Sequence, residues 1–418
     1  MKILFILNHF YPETGAIRTE YELSNFLAKR GNVVYVITTY PRKYRVPEEL
    51  KSKLVISKSI NSFTIEKHRK NFYTIRVLSF ISPCDNVAYR LIELLTSLPM
   101  LALVATLCNV KYDAVVCGGD IEILVLLAGI FVKILRRRPL IAILHDISLQ
   151  QLKDTQVLKN TVLIKILEII EKFVYRMVDR IVVHSESNKK ILIKRGADAS
   201  KVKIVYLWAD LNKIKPFDNK NILRNKWNKK WVNRFIVSFA GIMHFPQGLE
   251  VVIEAANLLK EVSDIHFLMI GEGPVKPLLL NLVKKYRLNN IDFLPLLPKD
   301  KYVEILQLSD VCLVTLRKGY TQPVIPSKLI EIMAAGSPVI LSVPSNNDSI
   351  RIIEKAKCGI WVEAGNPEML AKAILKLYRD KVKLRDLGIN ARKFAEKHFN
   401  LEIAAMKYEK IIHDSAII

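Results

Sequence analysis

Along the whole chain, short runs of β-branched and aliphatic residues alternate with longer segments of helical period. In the first half the predicted strands are 2–8, 32–39, 72–78, 114–119, 140–146, 180–185 and 201–207. Helical patterns lie between several of them, such as 20–31, where Gly31 supplies the stop. Residues 210–234 then break the alternation. They are polar and lysine-rich, and Trp227 and Trp231 stand four apart, so a domain junction holding a short helix is expected there. The alternation restarts with strands at 235–241, 265–271, 291–296, 311–316, 337–343 and 359–364. Helices are expected at 248–261, 275–287 and 300–309, with two more at the carboxyl end. Strand–helix alternation of this kind predicts an α/β protein with two doubly wound parallel sheets, each covered on both faces. The expected domains are 1–209 and 235–418, with 210–234 between them. The carboxyl ends of both sheets would face a shared cleft, where open α/β sheets bind ligands.

A chain of 418 residues is longer than one core usually grows, which agrees with two domains. Half the residues are hydrophobic, which excludes a disordered or fibrous class. The five cysteines (Cys84, Cys108, Cys117, Cys312, Cys358) form no CxxC pair and no metal-ligand spacing. Scattered thiols fit a reduced, cytoplasmic protein. Met1 leads straight into "KILFIL", with no small-residue cleavage site that would mark a signal peptide.

A net charge of +24 speaks of partners more than of fold. Nucleic acid, an anionic membrane face and phosphorylated substrates compete as readings, beside an ordinary solvated lysine surface. Nucleic acid ranks last, because no binding motif or aromatic-studded basic groove accompanies the charge. Two apolar stretches bear on the membrane reading. Residues 91–108 carry Glu93 and Pro99, and residues 121–138 carry Glu122 and Lys133, so both fall short of a spanning helix. Buried core helices are the expectation for both. Arg136, Arg137 and Arg138 directly follow the second apolar run, however, and an apolar face beside clustered arginines suits contact with anionic lipid.

The chemistry concentrates in "PSKLIEIMAAGSPVI", residues 326–340. It reads as a very short helix between a loop and a strand. A helix amino terminus offers unpaired N–H groups and about half a positive charge, a seat for phosphate. Ser327 is expected to cap that terminus or donate its hydroxyl, Lys328 adds a full charge, and Pro326 fixes the entering backbone. Glu331 follows four residues after Ser327, on the same face and roughly 6 Å further along the axis. That is about the distance from a diphosphate to the ribose hydroxyls of the same nucleotide. Gly336 is expected to end the helix as a left-handed cap, with Pro338 preventing its continuation. An ordinary amphipathic helix would explain Ser327 and Gly336 and leave Lys328 and Glu331 as coincidence.

This stretch resembles the nucleotide-sugar site of family 4 glycosyltransferases, retaining enzymes with the two-domain GT-B fold. The resemblance covers nearly the whole chain: "NHFYPETGAIRTEYELSNFLAKRG", "GIMHFPQGLEVVIEAANLL", "MIGEGP" and "AGNPEMLAKAILKL" stand in the family's order. Its branch is similar to bacterial N-acetylfucosamine (WbuB-like) transferases of surface polysaccharide assembly. The resemblance implies a GT-B fold of Rossmann-like domains, an amino-terminal acceptor domain and a carboxyl-terminal donor domain, with terminal helices returning toward the first. It implies that Glu331 binds the donor ribose as the second acid of a Glu-x7-Glu element, whose first position here is Pro323. The family's basic pair is also altered: Ile242 stands at its arginine position and Gln247 at its lysine position. Lys328, with Arg18, is then the expected partner of the leaving diphosphate. Gly15 matches the loop glycine near the phosphates, Gly241 closes the second domain's first strand, and Gly271 and Gly273 resemble the turn near the nucleotide. His145 matches the family histidine near the sugar. A histidine beside a strand is commonly structural, but its position and the adjoining Asp146 favour a site role.

The implied reaction moves a sugar from a nucleoside diphosphate, a UDP-sugar by expectation, to a hydroxyl of a lipid-linked or saccharide acceptor, with retention. The sequence has no Asp-x-Asp, so neither metal nor cofactor is expected. Two alternatives stay open: a nucleotide-sugar 2-epimerase of the same fold, and a catalytically idle partner subunit. The expected location is cytoplasmic, with peripheral contact at the inner face of an anionic membrane.

Overall fold

The computed structural model describes residues 1–13, 18–46, 63–84, 87–119, 122–145, 161–320 and 325–417. Gly15, Asp146 and Pro323 lie outside them, and the described part of Arg18 excludes its side chain. In chain order the elements are β1 (Lys2–Leu7), α1 (Arg18–Lys29), β2 (Val33–Thr39), β3 (Phe63–Arg69), β4 (Phe72–Val77), α2 (Val87–Leu107), β5 (Ala114–Gly118), α3 (Glu122–Arg136), β6 (Leu140–Leu144), α4 (Thr161–Met177), β7 (Arg180–Val183), α5 (Glu186–Lys194) and β8 (Val202–Ile204). There follow α6 (Lys220–Trp227), β9 (Phe235–Ala240), α7 (Glu250–Leu258), β10 (Ile265–Ile270), α8 (Lys276–Tyr286), β11 (Ile291–Leu294), α9 (Lys299–Leu308) and β12 (Val311–Thr315). The chain closes with α10 (Ser327–Ala334), β13 (Val339–Val343), α11 (Asp348–Ala356), β14 (Gly359–Glu363), α12 (Pro367–Arg379), α13 (Lys381–His398) and α14 (Leu401–Ala416).

The chain divides into two compact units. The first, Met1–Tyr206 with Leu401–Ile418, holds an eight-stranded sheet in the order β3-β4-β2-β1-β5-β6-β7-β8. All neighbours are parallel except β3, which runs antiparallel to β4. β1, β5 and β6 are buried nearly throughout, as parallel strands covered on both faces must be. On one face, α2, α3 and α4 form a helical layer whose inner rows (Leu101, Val125, Val174 among them) join Leu4, Val115, Ala142 and Ile181 in a single core. Lys133 fastens this layer by donating to the Met177 carbonyl and pairing with Asp179, each at 2.7–2.8 Å. No helix among the described residues is long and apolar enough to cross a membrane.

The second unit, Leu207–Asn400, holds a six-stranded, wholly parallel sheet in the order β11-β10-β9-β12-β13-β14. Residues 210–234, expected as a junction, belong to this unit. Their tryptophans are the reason: Trp231 is buried and its indole donates to Asp292, while Trp227 donates to Glu304, each at 2.8 Å. Arg224 binds the Leu308 carbonyl and pairs with Asp310, closing the seam. At the other end, residues 401–418 leave the second unit and pack with the first, where Ala405, Tyr408 and Ile412 are buried. Three elements were not expected from the sequence: β3, α11 and a third carboxyl-terminal helix.

Candidate donor site and its counterpart in the first unit

The helix in question, α10, is eight residues long, too short to persist alone. It survives because one side is buried through Leu329, Ile330, Ile332 and Met333, and because its carboxyl end is fastened twice. Gly336, at φ +69°, lets Ser337 N–H reach the Ile332 carbonyl and its own N–H reach Met333, the paired bonds of a Schellman cap. The Arg392 guanidinium, from α13, donates to the carbonyls of Ala334 and Ile214 at 2.7 Å each.

At the amino end the structure corrects one expectation. Pro326 occupies the capping position, and Ser327 opens the helix as its first residue, exposed and making no capping bond. The residue before a helix needs an extended backbone, which Pro326 provides at φ −60°, ψ 132°. The first-turn N–H groups are therefore left without a side-chain cap from Ser327.

Lys328 is the central group of the site. Its ammonium sits 4.1 Å from the centre of the Phe239 ring and donates to the Gln247 amide oxygen at 2.8 Å. Gly241, just past β9, makes the room: a Cβ there would lie 2.9 Å from Nζ. Among the described residues no carboxylate pairs with Lys328. Burial without a counter-ion pushes its pKa down to about 7. Gln247, read as a lost cation, thus becomes the group that orients the surviving one.

The loops around Lys328 are built for close backbone approach. Gly271, past β10, has φ +141°, and its Cβ would fall 2.0 Å from the Gly241 carbonyl oxygen. Gly273 has φ +153°, and a Cβ there would fall 2.3 Å from the Met243 carbonyl oxygen. Ile242, at the family's arginine position, is exposed.

Glu331, one turn into α10, forms a close ion pair with Lys299 at the start of α9. Lys299 also lies 4.8 Å from the ring centre of Tyr302, whose hydroxyl is held far from ionisation first by burial and then by the Glu331 charge. Lys299 and Tyr302 were not legible as site residues. In sequence they look like any lysine and tyrosine of an amphipathic helix.

In the first unit, His145 stands just past β6 and forms a close pair with Glu20 of α1 through Nε2. Burial alone would raise the Glu20 pKa, but the adjacent His145 and the Thr19 hydroxyl outweigh it and the carboxyl is held below its ordinary value. The His145 ring also stacks on His184, with centroids 4.8 Å apart. His184 is buried, donates from Nδ1 to the Val205 carbonyl at 2.8 Å, and has its pKa lowered to about 3, first by burial. A neutral ring thus backs the Glu20–His145 pair. Glu20 and His184 went unrecognised because each pairs with His145 across 125 and 39 positions of sequence.

Two family models match: Glycosyltransferase Family 4 over residues 14–213, and Glycosyl transferases group 1 over residues 220–394. The colanic acid protein WcaI of Escherichia coli, provisionally named as a glycosyl transferase, is 27% identical over 54% of this chain and 54% of its own. A second Escherichia coli relative, named UDP-Gal:alpha-D-GlcNAc-diphosphoundecaprenol alpha-1,3-galactosyltransferase, is 25% identical over 59% of this chain and 63% of its own. The chain thus spans between half and two thirds of these relatives' length. The crystal structure of Anabaena HepE in complex with UDP superposes with a TM-score of 0.73 at 18% identity, covering 99% of this chain and 100% of the other. With one model over each half and a two-sheet architecture that this neighbour shares, the chain belongs to the family 4 glycosyltransferases of GT-B fold.

Proposed function

We propose that the protein transfers a sugar from a nucleoside diphosphate, UDP in the first instance, to a hydroxyl of a lipid-linked saccharide in surface polysaccharide assembly. The observation that carries this is Lys328: an ammonium with no carboxylate partner among the described residues, in the first turn of α10, with the room beside it left by Gly241. A diphosphate supplies the missing anion. Glu331, with Lys299 beside it, accepts hydrogen bonds from the ribose. The relatives' names favour this reading in both donor and acceptor, since one names a UDP-sugar and a diphosphoundecaprenol-linked sugar. The resemblance to N-acetylfucosamine transferases supplies the narrower proposal for the branch.

The bond from the anomeric carbon to the diphosphate breaks, and the acceptor oxygen bonds to the same face, so configuration is retained. The acceptor proton passes to the departing phosphate oxygen. Lys328 and the α10 N–H groups stabilise the charge that develops on the diphosphate, so no metal is needed in this scheme. Glu20 fixes the ring orientation of His145, the residue that the family resemblance implies for the sugar.

Mixing the protein with UDP- and GDP-sugars and a polyprenyl-diphosphate-linked acceptor tests this by product mass. An acceptor heavier by one sugar, with free UDP, is the expected result. Donor of unchanged mass but altered configuration would replace transfer with epimerisation. UDP binding without turnover on any acceptor would replace it with a partner-subunit role.

The pH dependence of UDP binding follows from Lys328. The free site binds one proton with a pKa of about 7, and a bound diphosphate raises that pKa. Affinity is therefore full below pH 7 and falls as pH rises above it, approaching about tenfold per unit until the bound-state pKa is reached. Calorimetry in buffers of different ionisation enthalpy should show proton uptake near pH 7.5. A flat affinity between pH 6 and 8.5 would contradict this assignment.

A further inference from the structure

The helical layer of the first unit has a second apolar face. Its inner rows fill the core, so its outer rows should be polar if water were their only neighbour. They are not. On α4, Ile166, Ile169 and Phe173 follow each other by three and four residues, one continuous stripe, and are 47%, 68% and 50% exposed. The neighbouring α3 exposes Phe131, Ile134 and Leu135, and α2 exposes Leu95 and Leu107. Because α2, α3 and α4 pack on the same face of one sheet, these residues look outward from one surface. Patches of this extent mark contact surfaces rather than ordinary exterior.

The charge beside the stripe says what covers it. Lys165, Lys172 and Arg176 are exposed along α4, and Arg137 and Arg138 are exposed where α3 ends. Arg136 is not part of this set, because its guanidinium donates to the Cys108 carbonyl at 2.6 Å. Among the described residues of these three helices, Glu168 is the one exposed acid. A second copy of a chain carrying +24 would bring like charge against like. An apolar stripe flanked by long basic side chains instead fits an acyl boundary with anionic headgroups above it, the basic heads reaching up to phosphate.

We propose that the outer face of α2, α3 and α4 lies on an anionic lipid bilayer, with Ile166, Ile169 and Phe173 inserted and Lys165, Lys172 and Arg176 on the headgroups. This goes beyond the transfer reaction and does not depend on it. The test is co-sedimentation of the full chain with vesicles of phosphatidylcholine alone or mixed with phosphatidylglycerol. Binding is expected only to the mixed vesicles and should weaken as salt rises. The pair Lys165→Glu and Lys172→Glu should cost at least roughly tenfold in partitioning, given the contribution of each surface cation. The pair Ile169→Ser and Phe173→Ser should do the same with an unchanged melting temperature. The charge pair stands as the test if the serine pair fails to fold. Equal binding to neutral and mixed vesicles, or none to either, overturns the proposal. A concentration-dependent dimer abolished by the serine pair, with no vesicle binding, assigns the face to a second copy and overturns it too.

Discussion

Replacing Lys328 by alanine is expected to lower transfer from a UDP-sugar, measured as kcat/KM, by about 10²–10³-fold, the usual loss when one preorganised donor to developing charge is removed. The ammonium occupies a slot defined by the Phe239 face, the Gln247 amide and the absent side chain of Gly241. Gln247 carries no charge, and Lys299 is engaged by Glu331. The alanine variant should keep its melting temperature within a few degrees, because it relieves a buried charge instead of breaking an ion pair. Lys328→Arg should restore little, since the bulkier guanidinium does not fit the slot between the Phe239 ring and the Gly241 backbone that the compact ammonium fills. Activity within threefold of wild type in Lys328→Ala would remove the basis of the proposed function.

The second large effect is on stability. Gly271→Ala places a methyl group 2.0 Å from the Gly241 carbonyl oxygen, and does so at φ +141°, where side chains are strained regardless of space. The obstacle is backbone on a neighbouring loop, so no rotamer change relieves it. Gly241 N–H is bonded to the Ile270 carbonyl at 2.9 Å, and Gly271 N–H to Leu294 at 3.1 Å, so a shift of either loop breaks sheet-end bonds as well. A loss of about 3–5 kcal/mol is expected, in the range of the severe backbone substitutions. For a unit of this size that corresponds to roughly 10 °C in melting temperature. Gly319→Ala, at φ +83° with no atom within 4 Å of its Cβ, is the control that carries conformational strain without the collision. Equal melting temperatures for the two variants would show that the close approach of the loops has no energetic weight.

What the sequence made legible, and what it hid, follows from range. The parallel strands were readable because burial on both faces turns each into an unbroken apolar run, as at Phe235–Ala240 and Val339–Val343. β3 was hidden because it is an edge strand, FTIEKHR, whose pattern mixes charge with an exposed Ile65. α11 was missed between the strands expected at 337–343 and 359–364, although Asn347 caps it by accepting from Ser349 N–H. Residues 210–234 looked like a junction because lysines dominate their composition, while two indole hydrogen bonds decide where they pack. In the candidate site, Lys328 and Glu331 were singled out from local helix-end chemistry, and Gly271 and Gly273 from the family resemblance. The pairings were not: Lys299 is 32 positions from Glu331, and Gln247, named from the resemblance alone, is 81 from Lys328. No local rule reaches that far.

The double fastening of α10 has a thermodynamic corollary. Eight residues do not hold a helix in water, so the direction in which its dipole points is settled by Arg392 and the Gly336 turn when the chain folds. A pyrophosphate bound there as proposed would meet an electric field already aimed. It would surrender its own freedom of motion on arrival, while the helix has almost none left to surrender.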